Sequence, residues 1–233
     1  MTEFPYRTAL IVGAGAGISA SLARALTSRG IKVALAARDI TKLEALCAKT
    51  GATAFTADAS RTDAVSQLFA GVDRAIGEPD IVVFNASARV RGSLLDIEPD
   101  AVERALAVSV FGGFLVTQQA AKRMVPRGHG AILLTGATAS LKGYSGSASF
   151  AMGKFALRGL AQSAARELGP KGIHVAHFII DGGVRSALRP MPADKPDSLL
   201  DPDAIAQTYI DVLRQPRSAW SQEVELRPWV ETF

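Results

Sequence analysis

The chain holds one cysteine, Cys47, so no disulfide can close within it, and a reducing compartment, the cytoplasm, is the expectation. With that thiol and three histidines, no recognisable zinc or iron–sulfur ligand set can be assembled. His174 and His177 fall on one predicted strand at a spacing that turns them to opposite faces, and His129 lies in a glycine-flanked turn. Long apolar runs are missing as well. None approaches the roughly 18–20 residues of a membrane span, and the opening MTEFPYR lacks the pattern of a signal peptide. Charge is not concentrated: 26 Lys and Arg are scattered among 22 Asp and Glu, with no basic run interleaved with aromatics, which argues against a nucleic-acid partner. No GxSxG nucleophile elbow occurs, and GAGAGIS lacks the Lys and Ser/Thr that would make it a P-loop.

What is present is alternation. Short Val-, Ile- and Ala-rich runs occur at 8–12, 32–37, 52–57, 80–86, 130–136 and 173–180, with a further strand near 222–226. Such continuous apolar runs are typical of strands buried on both faces of a parallel sheet. Amphipathic segments separate them: one from Ile18 stopped by Gly30, one introduced by Ser60 and Asp63, long ones near 100–124 and 147–168, and a last near 203–214. This order predicts one α/β domain over residues 1–233, a doubly wound parallel sheet of about seven strands with helices on both faces. Residues 186–202 carry four prolines and are expected to form a lid loop.

The first strand runs directly into GAGAGIS (13–19) and then a helix. Glycines in that position let backbone N–H groups approach a pyrophosphate at a helix N-terminus, so Gly13, Gly15, Gly17 and Ile18 are assigned to cofactor binding. The second strand ends Ala36-Ala37-Arg38-Asp39. No acid stands at its tip to grip a ribose hydroxyl, whereas Arg38 suits a 2′-phosphate, so NADP(H) is favoured over NAD(H). Asp39 is read as a cap for the helix that follows.

Together with Asn85-Ala86-Ser87 and Lys154, these features resemble the short-chain dehydrogenase/reductase family over nearly the whole chain. The resemblance implies a Rossmann-like fold, a homodimer or homotetramer, and a small-molecule substrate. It implies that Asp58 meets adenine, that Asn85 and Ala86 pass beside the cofactor, and that Gly182, Val184 and Ser186 form the nicotinamide-side motif, with Asp181 in place of its proline. Trp229 and Phe233 are read either as packing on a partner subunit, as family members commonly associate, or as covering the chain's own core. The family's four working side chains are mostly replaced. Lys154 remains, Phe150 stands at the tyrosine position, Ala137 at the serine position and Ser109 at the asparagine position. Thr138, beside Ala137, is the nearest substitute hydroxyl, with Ser140, Tyr144, Ser147 and Ser149 in the same segment. Two readings follow: an NADP(H)-dependent oxidoreductase with a non-standard proton route, or an inactive NADP(H)-binding protein that senses or scaffolds.

Overall fold

A computed structural model describes residues 4–230. The strands are β1 (Thr8–Val12), β2 (Lys32–Ala37), β3 (Thr53–Thr56), β4 (Ile81–Phe84), β5 (Gly130–Thr135), β6 (Ile173–Ile180) and β7 (Glu223–Leu226). They form one sheet in the order β3-β2-β1-β4-β5-β6-β7, with every adjacent pair parallel. The helices are α1 (Ile18–Thr27), α2 (Glu44–Thr50), α3 (Thr62–Ile76), α4 (Pro99–Leu106), α5 (Gly112–Arg127), α6 (Ala148–Leu168) and α7 (Pro202–Leu213).

The alternation of side chains along each strand sorts the core into two layers. In β1, Leu10 and Val12 join the cluster under α3, α5 and α6, while Ala9 and Ile11 join the one under α1 and α7. Every residue of β1, β4, β5 and β6 is buried, which is why these runs read as continuously apolar. Tyr209 is the largest side chain in the second layer. Its ring stacks on Phe178 at 3.6 Å and its hydroxyl shares a 2.8 Å hydrogen bond with Thr135 Oγ1.

Two expectations need correcting. Ser60 does not cap a helix: its amide and hydroxyl both donate to Asp58 Oδ1, and α3 begins at Thr62 behind Arg61. The long pattern near 100–124 is not one regular helix. A π turn at Ala107–Phe111 separates α4 from α5. It falls where Gly112 presses on the chain after β3, since a Cβ there would lie 2.8 Å from the Ala59 carbonyl oxygen.

Because β1 leads to β2 on one side and borders β4 on the other, the strand order reverses at this pair. The crevice beyond their carboxyl ends is where ligands bind in such sheets.

Candidate active site

Three neighbouring cavities occupy that crevice. The first, of about 310 Å³, lies past the ends of β1, β2, β3 and β4 and is bordered by Gly13, Arg38, Lys42, Asp58, Asn85 and Ala86, among others. Arg38 is exposed at the end of β2 and, among the described residues, has no carboxylate at ion-pair distance. Asp58 accepts from the Ser60 amide at 3.0 Å and its hydroxyl at 2.7 Å. Those bonds, aided by Arg38 and Arg61, hold its carboxyl below the usual range despite partial burial. Asp39 does close the next turn, accepting from Thr41 N and Oγ1, and also pairs with Lys42 at 3.1 Å. Lys42 was not singled out from the sequence; its one signal is its place four residues after Arg38, on the first turn beyond β2.

The glycines of the loop differ in what they are for. Gly13 has φ +85°, and a Cβ there would overlap the Ala86 backbone, so packing and conformation both demand glycine. Gly15 and Gly17 face no protein atom within 4 Å of a built Cβ, and neither has a positive φ. Although Gly17 sits at φ −90°, ψ −124°, outside the regions that residues with a Cβ favour, no packing contact demands glycine at either of the two. They border the second cavity, of about 250 Å³, with Ile18, Asn85, Val184 and Ser186. The N-terminus of α1 opens here with no acidic residue in its first turn and no side-chain cap. Ser19 has a role that spacing did not reveal. Its hydroxyl donates to the Gly13 carbonyl at 3.2 Å and accepts from Asn85 Nδ2 at 2.7 Å, tying the loop to the end of β4.

The third cavity, of about 200 Å³, lies between the chain after β5 and the start of α6. Ala137, Thr138, Phe150, Gly182 and Arg89 all border it. Lys154 sits one turn along α6 from Phe150, its Nζ 5.8 Å from the ring centroid and 2.7 Å from the Thr135 carbonyl it donates to. Burial pushes its ammonium down to about 8. Ser109 is not among the side chains lining this cavity. It sits buried in the π turn, where its hydroxyl accepts from the Ala88 amide at 3.0 Å and supports the chain after β4.

The substitute hydroxyls are mostly spoken for. Burial would raise Asp181, but hydrogen bonds from Thr138 and Arg227 outweigh it, so the Thr138 hydroxyl is turned to a carboxylate. Ser149 donates to the Val90 carbonyl at 2.8 Å, and Ser140 accepts from the Ala137 amide at 3.2 Å. Ser140 also stands 3.4 Å from His177 Nε2, and His177 Nδ1 stands 3.3 Å from Glu223. This string resembles a nucleophile relay but is sealed in: Ser140 and His177 are buried, and burial pushes His177 down to about 4. Tyr144 keeps a free phenol at the cavity's edge and is 56% exposed.

The proline-rich segment leaves the sheet beside Gly182 and returns at Leu200, where Val184 and Leu200 pair. Arg185 and Asp201 clamp its base at 2.7 Å. Leu188 points to solvent, whereas Leu200 packs on the core. Trp229 is exposed and donates to Asp197 of that segment at 3.3 Å, while Phe233 lies outside the described residues.

A seven-stranded parallel sheet with a glycine-rich loop at its switch point defines a Rossmann-like α/β protein. The pattern of the short chain dehydrogenase family matches residues 7–193, and the chain belongs to that family of oxidoreductases. A short-chain dehydrogenase from Rhodopseudomonas palustris superposes with TM-score 0.82 at 35% identity, over 96% of this chain and 99% of that one. A metagenomic short-chain oxidoreductase in complex with NADP superposes with TM-score 0.83 at 28% identity, over 96% and 98%. The cyclic-di-GMP-binding biofilm dispersal mediator protein of Escherichia coli is 32% identical over 75% of this chain and 72% of its own.

Proposed function

We propose that this protein is an NADP(H)-dependent oxidoreductase acting on a small carbonyl or alcohol, with a proton route that avoids the family's phenol. The observation that carries this reading is the cradle of Gly15 and Gly17 at the uncapped N-terminus of α1, where a built Cβ would meet no protein atom. The metagenomic relative's NADP complex and the exposed Arg38 support the 2′-phosphorylated cofactor over NAD(H).

When bound, the cofactor supplies or accepts a hydride. The chain does the rest. Amides of the glycine loop and the α1 N-terminus hold the pyrophosphate. Arg38, with Lys42 beside it, holds the 2′-phosphate, and Asp58 lies at the adenine end of the same cavity. Asn85, braced by Ser19, and the segment of Gly182, Val184 and Ser186 flank the nicotinamide end. Lys154 holds the adjacent ribose and, at about 8, keeps a proton that it can release or regain near neutral pH. Phe150 and Ala137 offer neither donor nor acceptor; they shape an apolar floor and exclude water.

The test is NADPH consumption across aldehydes, ketones, quinones and enones, with NADPH and NADH affinities measured beside it. Turnover with NADPH is expected, and Arg38→Ala should weaken NADPH at least tenfold more than NADH. Failure to bind either cofactor refutes the reading. Tight NADPH binding without turnover favours the second reading, a cofactor-binding protein that senses or scaffolds. That reading draws on Phe150, Ala137 and the likeness to the biofilm mediator.

A second copy of the chain is the proposed partner. Phe111 and Phe114 around the start of α5, and Met152 and Phe155 on α6, are each close to half exposed, an apolar face that a homodimer or homotetramer would cover. Light scattering on the wild type and on Phe111→Lys/Phe155→Lys checks it; a wild-type monomer would refute it.

A further inference from the structure

We propose that the substrate carries an anionic group, of carboxylate type, bound by Arg89 at the mouth of the cavity that Phe150 floors, with Arg91 and Arg189 as flanking charges. This rests on the oxidoreductase reading for the reaction but not for the binding.

Arg89 follows β4 by five residues and contributes the one cationic side chain bordering that cavity. Its guanidinium carbon lies 4.6 Å from the Phe150 ring centroid. A cation–π contact of this kind uses the guanidinium's charge against the ring and leaves N–H donors available to a ligand. Among the described residues one of its donors has a hydrogen-bond partner, Nη2 to the Ser147 hydroxyl at 3.3 Å. A planar carboxylate accepts two parallel bonds from such a fork, and a neutral carbonyl or amide does not match it as well.

The surroundings are what make the arrangement unusual. Partial desolvation, then the charges of Arg91 and Arg189, depress the basicity of Arg89, so its guanidinium sits in a positive local field. Among the described residues, none of the three has a carboxylate within 4.0 Å. The acid on the cavity's side, Asp181, is taken by Arg227 and Thr138. Arg189 belongs to the proline-rich segment and lies over Gly183, where a built Cβ would fall 2.8 Å from its Nη1. A bound anion would offset that positive field and draw that segment toward the cavity. The cofactor's own phosphates do not explain Arg89, because neither of the two cavities assigned to the cofactor is bordered by it.

The geometry also gives Phe150 a purpose. The ring presents its negative face to Arg89 and holds the guanidinium at the cavity's mouth.

Binding of benzoate and of the neutral isostere benzamide is measured by calorimetry, on the protein alone and saturated with NADP⁺. Benzoate should bind about tenfold or more tightly than benzamide, as a charge-assisted pair at a partly exposed site requires. Arg89→Gln should abolish the difference while leaving NADP⁺ affinity unchanged, and Arg89→Lys should restore part of it. Equal binding of the two probes in both states, or a preference that survives Arg89→Gln, overturns the inference. If NADP⁺ fails to bind, the cofactor reading falls, and the benzoate preference on the protein alone still decides this one.

Discussion

Lys154 buries a cation, and that has a measurable cost. Folding lowers its pKa from 10.5 to about 8, with burial the cause. At about 1.4 kcal/mol per tenfold change, holding it protonated at pH 7 costs about 3 kcal/mol. Lys154→Met keeps the stem's packing and removes that penalty, but it strips the Thr135 carbonyl of its donor, a loss of about 1–2 kcal/mol. The variant should therefore be more stable than the wild type at pH 7 by about 1–2 kcal/mol, a rise in Tm of roughly 2–8 °C for a domain of this size. The sign with pH is definite. Between pH 8 and 10.5 the unfolded lysine holds its proton while the folded one has lost it, so wild-type stability gains as pH rises through that window. The variant's advantage should be widest below pH 8, shrink through zero, and reverse toward pH 10.5, where only the lost bond to Thr135 still separates the two proteins. Thermal and urea melts of both proteins at pH 7, 9 and 10 measure it. A variant less stable at pH 7, or a gap that ignores pH, would refute the account of Lys154 as a cation held against its own solvation. A fall in NADPH affinity in the same variant would show that the charge is kept for a ligand rather than for the fold.

Other substitutions probe other joints of the structure. Gly13→Ala should destabilise the protein by about 2 kcal/mol or more, since a methyl would meet the Ala86 backbone at φ +85°, whereas Gly15→Ala should leave stability nearly unchanged and weaken NADPH binding; melts and cofactor titrations separate the two. His177, pushed down to about 4 by burial, stays neutral in the fold but gains a proton on unfolding below about pH 6.5, so stability should fall with pH between about 6.5 and 4. That slope should flatten in His177→Gln, and an unchanged slope would assign the acid sensitivity to other groups.

Much of the scaffold was legible because parallel strands buried on both faces leave an unbroken apolar run. The expected bounds of β1, β2 and β6 coincide with Thr8–Val12, Lys32–Ala37 and Ile173–Ile180. Where the run outlasts the ladder, legibility ends: residues 80–86 read as strand, yet Asn85 and Ala86 have left β4 to face the glycine loop. The π turn has no local signature, because it answers to the approach of Gly112 to Ala59, some fifty residues away. Of the candidate site, Ala137, Thr138, Phe150 and Lys154 gather as spacing implied, while Ser109 serves the loop behind them. Arg89 was invisible for the same reason as Ser19. Each is defined by a partner far along the chain, Phe150 in one case and Asn85 in the other, and neither residue type announces it.

The strand order also dictates a schedule of assembly during synthesis. β1, β2 and β3 add outward in the order they are made, and the free edge of β1 then waits for β4, whose lead-in residue Asp80 bonds to Thr8 across 72 residues. Until that return the nascent chain displays the unpaired, largely apolar edge of β1, the kind that seeds association between chains. Once β4 is in place, β5, β6 and β7 dock one after another on the growing side. The pairing of β1 with β4 has the longest sequence separation in the sheet and is the slow step that topology imposes, so conditions that stall elongation shortly after β3 should raise the misfolded fraction more than a stall at any later strand.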